Sequence, residues 1–306
     1  MLFYANAVAY PSVFRSLTGL DAPEFECLLG HFEKAWEEHL AEAAANPERR
    51  RKPGGGAVPT TLRTAEDRLF FILVYLKSYP LQVVMGFLFG MSQGRANEWI
   101  RRLGAVLQKA LAMAKALPAR DPVSAAQQFE ASPVREFIID GTERRTQRPS
   151  DDGRQTACYS GKKKTHTLKN NLVVDSLSRT VAYLSPTVPG KTHDKALADQ
   201  CGLVFPPGSV LFQDTGFQGY APCGVLVMQP KKKPRGGELG VDEKFMNGLV
   251  SKTRVIVENV IAGVKRCRIV KDVFRNTRKG YDDTVMELAC GLHNLRCTHR
   301  HAQLGC

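Results

Sequence analysis

The sequence predicts an α/β chain in two parts, an all-α region with the outline of a helix-turn-helix followed by a mixed five-stranded sheet flanked by helices. Three observations predict it. Apolar residues recur at helical spacing as far as Leu107. Beyond residue 133 they gather instead into short runs such as Phe137-Ile-Ile139 and Val210-Leu-Phe212, bounded by Asp, Gly and Pro. A length of 306 residues suits about two domains, each with a core of its own.

Residues 22–46 form the first long helix, with Leu28, Leu29, Phe32, Trp36 and Leu40 spaced for burial. The basic, Pro- and Gly-rich run Asn46–Gly56 ends it as a loop. Thr64-Ala-Glu-Asp67 resembles a capping box with Asp in the place of Glu or Gln, and opens a helix with Leu69, Ile72, Leu73 and Leu76 on one face. Tyr79-Pro80 stops that helix, a second covers about 81–89, and Gly90-Met-Ser92 turns into a third that Ser92 caps. Ala96, Trp99, Ile100, Leu103 and Leu107 face its core side, and Gln93, Asn97 and Arg101 its outer side. Gln and Asn bridge adenine edges and Arg reads guanine or phosphate, so the outer side suits DNA. A plain three-helix bundle with a polar surface is the competing reading.

Residues 117–133 hold three prolines and are expected to be a linker. Strands are expected at 134–139, 171–175, 179–184, 209–213 and 225–228, with a tight turn around Ser176-Leu-Ser178. Helices are expected at 193–200 and from about 248 to 265.

The charge balance narrows the function. Forty-three Lys and Arg against thirty Asp and Glu leave a net +13, which points to a polyanion, nucleic acid first. A membrane surface is the runner-up, but no basic amphipathic anchor stands out. No apolar stretch approaches the ~20 residues of a membrane span, and the N-terminus lacks a signal-peptide pattern, so a soluble, cytoplasmic protein is expected. The eight cysteines form no Cys-x-x-Cys pair and read as reduced thiols. Cys290, His293, Cys297, His299 and His301 could hold zinc, although their spacing matches no common zinc module.

Three acids carry the candidate chemistry. Asp140 and Asp214 each close an apolar strand-like run, where open α/β sheets place ligands. Glu258 lies between Arg254 and Lys265 on a helix, all three within roughly 40° of one another, while Val257, Val260, Ile261 and Val264 make a core stripe. Adjacent carboxylates repel unless one takes a proton or a cation joins them. An oxygen-only set of this kind suits Mg²⁺ or Mn²⁺, and two such ions about 4 Å apart serve phosphodiester chemistry. Basic runs flank each acid: Lys162, Lys163 and Lys164 within Tyr159–Lys169, then Lys231, Lys232 and Lys233, then the residues from Lys265 to Lys279. They suggest a groove for a phosphate backbone.

Taken in order, Asp140-Gly-Thr, Tyr159-x-Gly-Lys-Lys-Lys-x-His-Thr, Pro189-Gly-Lys-Thr-His193-Asp194, Asp214-Thr-Gly-Phe217, Pro230-Lys-Lys-Lys-Pro and Arg254-x3-Glu258-x6-Lys265 resemble DDE transposases of the bacterial insertion-sequence-five type, relatives of the Harbinger elements. The resemblance covers roughly residues 60–280. It implies a ribonuclease-H-like core in which Asp140, Asp214 and Glu258 bind two Mg²⁺ ions, with His193, Asp194, Arg254 and Lys265 in support. Ser251 stands where related transposases often have a Tyr. The short interval between Asp214 and Glu258 leaves no room for the β-rich insertion that some relatives carry.

The implied layout is an N-terminal helical segment and basic loop over 1–56, a DNA-binding helix-turn-helix over 57–116, the linker over 117–133, the catalytic domain over 134–285 and a tail over 286–306. The implied activity is DNA transposition in the bacterial nucleoid: recognition of terminal inverted repeats, Mg²⁺-dependent cleavage, and transfer into target DNA. A homodimer at least is expected, because two DNA ends are brought together. The alternatives are a domesticated DNA-binding protein whose nuclease core is idle, and a general metal-dependent nuclease.

Overall fold

The computed structural model describes residues 1–45, 61–232 and 237–304. The chain divides into two compact units, Met1–Leu117 with Arg266–Ile269, and Pro118–Lys265 with Val270–Cys306. The expected basic loop at 46–56 and Lys233 lie outside the described residues.

The first unit is all helical: α1 (Tyr4–Val8), α2 (Pro11–Thr18), α3 (Ala22–Ala45), α4 (Ala65–Ser78), α5 (Gln82–Phe89) and α6 (Gln93–Met113). Every residue from Leu69 to Leu76 is buried, so α4 is the hub rather than a one-faced helix. Thr64 Oγ1 accepts the Asp67 N–H at 3.2 Å, as a helix cap does. Asp67 does not complete the box; its Oδ1 accepts the N–H of Tyr4 and ties α1 to α4. Tyr79, in a left-handed conformation, ends α4. Ser92 Oγ caps α6 through the Arg95 N–H, and the five inward residues expected on α6 are all buried. On α3, Leu28 and Phe32 are buried as expected, but Leu40 is exposed and Ala35 takes the inner position.

The second unit is a mixed α/β structure. Its elements are α7 (Pro122–Glu130), β1 (Glu136–Arg145), α8 (Asp152–Cys158), β2 (Tyr159–Ser160), β3 (Thr165–Asp175), β4 (Val181–Leu184), β5 (Val188–Pro189), α9 (Asp194–Cys201), β6 (Val210–Gln213), β7 (Leu226–Met228), α10 (Val241–Val264) and α11 (Tyr281–Leu304). The sheet has seven strands among the described residues, in the order β2-β3-β1-β6-β7, with β4 and β5 also paired to β3. β1 runs antiparallel to β3 and parallel to β6. Phe129, Phe137, Phe205, Phe217 and Tyr220 are among the large side chains of its core.

Several expectations are corrected. Five strands become seven, because β2 and β5 are two-residue pairings without an apolar run. β1 does not stop at Ile139 but continues through Asp140 to Arg145, and β3 begins at Thr165 rather than Asn171. The added segments are polar yet buried, including Thr142, Arg144, Thr167, Lys169, Asn170 and Asn171. Many of their polar groups pair with one another: Arg144 donates to Asn170 Oδ1, Thr187 Oγ1 and the Asp282 carbonyl, whereas Thr142 Oγ1, Arg144 Nε and Asn171 Oδ1 have no hydrogen-bond partner among the described residues.

Residues 117–133 are not a linker. Asp121 caps α7 through the Ser124 N–H, Pro122 takes the first helical position, and Ala125 and Phe129 sit in the core. Ala119 pairs with β4 as well, its N–H donating to the Ala182 carbonyl. Residues 286–306 are not a tail either, since α11 crosses residue 285 unbroken and packs on α10 and β4. Asn294 of α11 accepts the Val181 N–H at 2.7 Å and donates to the Val181 carbonyl at 2.9 Å, closing part of the edge of β4. His293 Nε2 lies 3.0 Å from the Arg179 carbonyl and His301 Nε2 3.1 Å from that of Ser178. The cluster considered for zinc thus braces the β3–β4 turn.

Substituting Asn294→Ala leaves both buried backbone groups of Val181 without their side-chain partner. It is expected to lower the unfolding free energy by about 2–3 kcal/mol, measured by urea denaturation.

Candidate active site

The site follows from strand register. β1 and β6 pair in parallel with Ile139 opposite Gln213, so the next residues, Asp140 and Asp214, stand side by side. Asp140 is therefore within its strand rather than at its end, while Asp214 does follow the last residue of β6. The Asp140 carboxyl has its pKa pushed up to about 6, first by desolvation and then by the charge of Asp214. The Gly141 N–H, donating to Asp140 Oδ1 at 2.8 Å, and the nearby Arg254 oppose that rise, and Asp194 adds to it.

Asp214 is held by its own turn. Its Oδ1 accepts the Gly216 N–H at 2.7 Å, capping a short 3-10 turn over Thr215–Phe217, and its carbonyl accepts from Gln229 Nε2. Phe217 anchors that turn in the core. Arg254, from α10, places Nη2 3.9 Å from Asp214 Oδ2.

Asp194 is the third acid at this place. A Cβ on Gly141 would come 2.6 Å from Asp194 Oδ1, and one on Gly216 would come 3.1 Å from Asp194 Oδ2. Glycine after Asp140 and two residues after Asp214 thus lets Asp194 approach the backbone beside both acids. Behind it, Lys169 Nζ lies 3.1 Å from Asp194 Oδ1 and 3.8 Å from Glu143 Oε1, and donates to the Thr192 carbonyl at 2.7 Å. Asn171 donates to the Asp194 carbonyl, and Thr167 to Glu143 Oε2. Lys169, expected with the phosphate-facing bases, is buried in this network instead.

α10 packs on β1 and β6 through Val257, Val260 and Val264. Lys265 at its end donates to the Glu143 carbonyl at 3.3 Å. Its pKa is lowered by desolvation and by the charge of Lys163, against the pull of Asp140. Lys163 and Lys265 therefore bring two cations to the Asp140 side of the site. Glu258 is exposed, and the charges that chiefly shift Asp140 are those of Asp214, Arg254 and Asp194. The three expected acids are not gathered: among the described residues no group of three His, Cys, Asp or Glu side chains is arranged to hold a metal ion. The pair that is gathered fits a divalent cation by its donor chemistry, since the repulsion between two adjoining carboxylates, which helps to raise the pKa of Asp140, is what such an ion relieves.

His193 precedes α9 with its side chain exposed, and its carbonyl accepts the Leu197 N–H. Lys162, Lys163 and Lys164 form an exposed turn between β2 and β3. Lys231 and Lys232 are exposed, and Lys231 pairs with Glu243 at 3.1 Å. Of the outer residues on α6, Gln93 and Arg101 are exposed, whereas Asn97 is half-buried and accepts from Gln82 Nε2. Sequence reasoning missed Glu143, Asn171 and Thr167, whose place follows only from the β1–β3 register, Glu143 opposite Lys169.

The family model described as DDE superfamily endonuclease matches residues 139–294, and that described as helix-turn-helix of DDE superfamily endonuclease matches residues 60–112. The chain is similar to a probable transposase for insertion sequence element IS702 from Microchaete diplosiphon, 24% identical over 277 residues that cover 90% of this chain and 95% of that protein. No solved structure matches.

Two outcomes are expected of these contacts. Because the folded-state pKa of Asp140 is raised, the native protein binds the extra proton between the ordinary Asp range and about pH 6, and that stability is lost as pH rises through about 6. In chelator, Asp140→Asn should raise the unfolding free energy by about 2–3 kcal/mol at pH 8 and hardly at all at pH 4, read from denaturation curves at each pH. Lys169→Met strands Asp194 and Glu143, and should cost about 3 kcal/mol by the same measurement at pH 7.

Proposed function

Because the chain belongs to the DDE superfamily of endonucleases, we propose that it is the transposase of an insertion sequence, cutting the element's terminal inverted repeats and joining the freed ends to target DNA. The observation that carries this reading is the Asp140–Asp214 pair, side by side on parallel strands, where the charge of Asp214 and burial raise the proton affinity of Asp140. The name of the relative, a transposase that aligns over nearly its whole length, supports the same reading.

In this proposal Asp140, Asp214 and Glu258 of α10 would hold divalent ions, Mg²⁺ or in its place Mn²⁺, which would supply charge neutralisation at the phosphate under attack. The protein's own part is placement. Asp194, braced by Lys169, keeps the strand of Asp140 and the turn of Asp214 in register. Arg254 offsets the negative charge beside Asp214 before DNA arrives and turns its remaining N–H groups toward phosphate. Lys163 and Lys265 hold the backbone on the Asp140 side, with Lys162, Lys164 and the Lys231–Lys233 run extending the track. Water attacks the phosphodiester at the element's end, leaving a 3′-OH, and that hydroxyl attacks target DNA with loss of the target's own 3′ oxygen.

Gln93, Asn97 and Arg101 of α6 read the terminal repeat, with Asn97 held by Gln82. The protein works as a homodimer, since each end needs one catalytic core, and acts on DNA in the nucleoid. No helix among the described residues is long and apolar enough to cross a membrane.

The deciding experiment is Mg²⁺-dependent cleavage of duplexes carrying the sequence that flanks the gene. Asp140→Asn and Glu258→Gln are each expected to lower the rate by at least about 100-fold. Wild-type cleavage by Asp140→Asn sinks the reading, and wild-type cleavage by Glu258→Gln removes Glu258 from the site. Cutting without preference for the terminal sequence points instead to a general nuclease.

A further inference from the structure

A cavity of about 300 Å³ lies in the first unit, walled by Trp36 of α3, Arg68 of α4, and Arg95, Glu98, Trp99 and Arg102 of α6. The two indole rings stack with centroids 6.0 Å apart and 28° between their planes. The Arg68 guanidinium lies over Trp36 at 4.7 Å, and that of Arg102 over Trp99 at 5.3 Å. A guanidinium held against a ring face is fixed in plane by the ring's quadrupole, and its N–H edge stays free to donate.

These cations are balanced only in part: Asp67 and Glu66 act on Arg68 and Glu98 lines the cavity, but the ion pairs of the helical unit join Arg15 to Asp21 and Lys109 to Glu42, and among the described residues none involves Arg68, Arg95 or Arg102. Arg68 donates once, from Nη2 to the Arg63 carbonyl, and its buried Nε has no hydrogen-bond partner. A buried donor without a partner is uncommon and marks a place that a ligand can satisfy. Three guanidinium groups and one carboxylate around one cavity call for an anion. Arg is the side chain whose planar fork fits phosphate.

Position names the anion. The exposed arc of α6 runs from Gln93 and Asn97, beside α5, round to Arg95 and Arg102, beside α3. DNA laid along that arc brings its sugar–phosphate backbone to the flank of the helix, where contacts set register rather than read sequence. We propose that this cavity seats a phosphate of a DNA strand, with Arg68, Arg95 and Arg102 as its donors and Trp36 and Trp99 as the platform that holds them. The proposal rests on the DNA-binding half of the function proposed above and not on cleavage.

The chain has two tryptophans, and both line this cavity, so tryptophan emission of the full-length protein, excited at the red edge where tyrosine does not absorb, reports on it. The experiment follows that emission, and the anisotropy of labelled DNA, in chelator for wild type and for the Arg95→Gln/Arg102→Gln variant. Its three arms are a duplex carrying the gene-flanking sequence, the same sequence as a single strand, and inorganic phosphate. Emission is expected to change saturably as DNA binds. The variant should lose that change, with the slope of log affinity against log salt falling by about 1. A response to the single strand and not the duplex assigns the seat to an unpaired strand; a response to the duplex assigns it to duplex backbone. The proposal is overturned if the variant binds with wild-type affinity and salt slope, if emission is unaltered when DNA binds, or if inorganic phosphate alone gives the full change. Absence of any DNA binding by wild type defeats the DNA-binding reading as well, whereas wild-type DNA binding with an unaffected variant defeats the cavity alone.

Discussion

Parallel pairing of β1 with β6 is the constraint on which the second unit depends. One register, Ile139 opposite Gln213, places Asp140 and Asp214 together, and a slip of one residue would turn one of the two side chains to the opposite face. The register is secured by the apolar residues before the acids. Phe137, Ile139 and Leu211 are buried in one core, and Phe217 just beyond Asp214 belongs to it as well. Apolar burial thus supplies the stability that the repulsion of two adjoining carboxylates takes away. The backbone contributes the rest: the N–H groups of Gly141 and Gly216 each donate to an aspartate side-chain oxygen, a bond that charge on the carboxylate strengthens.

The other half of the sheet solves a different problem. Along β1 from Thr142 and along β3 from Thr165 to Asn171, the chain buries hydroxyls, amides, an arginine and a lysine. Such a lattice is stable only when its members are satisfied together. Arg144 gathers Asn170, Thr187 and the Asp282 carbonyl, while Lys169 gathers Asp194, Glu143 and the Thr192 carbonyl. Arg144 fixes the start of α11, and Lys169 fixes the start of α9. The polar layer is therefore what ties the helices carrying supporting residues to the strands carrying the acids.

This division explains what could be read from the sequence. Phe137-Ile-Ile139 and Val210-Leu-Phe212 announce strands because a buried apolar run has few other uses, and the acids that follow them mark the site. The continuation of β1 to Arg145 carries no such signal, because Glu143, Arg144 and Arg145 look like a solvated loop until their partners across the sheet are known. Lys169 was indistinguishable from Lys162–Lys164 in one basic run, although the last three are exposed and it is not. The prolines of 117–133 suggested a linker, yet Pro122 begins a helix, a place where its missing N–H costs nothing. The cluster around His293 suggested a metal, but on one helix His293 and Cys297 both reach the Arg179 carbonyl and His301 that of Ser178, in the β3–β4 turn.

The helix α10 shows how the acid proposed for catalysis, Glu258, is kept off the core. Val250, Val257, Val260 and Val264 bury one side, and this alone sets the rotation of the helix against β1 and β6. Arg254 then falls beside Asp214, and Lys265 beside Glu143, without any further design. Glu258, one turn after Arg254 on the same side, is left exposed by the same rotation. With Asp194 already beside Asp140 and Asp214, a fourth carboxylate would raise the electrostatic cost of a site in which the Asp140 carboxyl already holds its proton more readily than a free aspartate does. In the proposed function, an exposed Glu258 would keep its hydration until a cation and a DNA phosphate arrive together. The proposed site is then complete only when its substrate charge balances its own, which confines the reactive arrangement to the DNA-bound state.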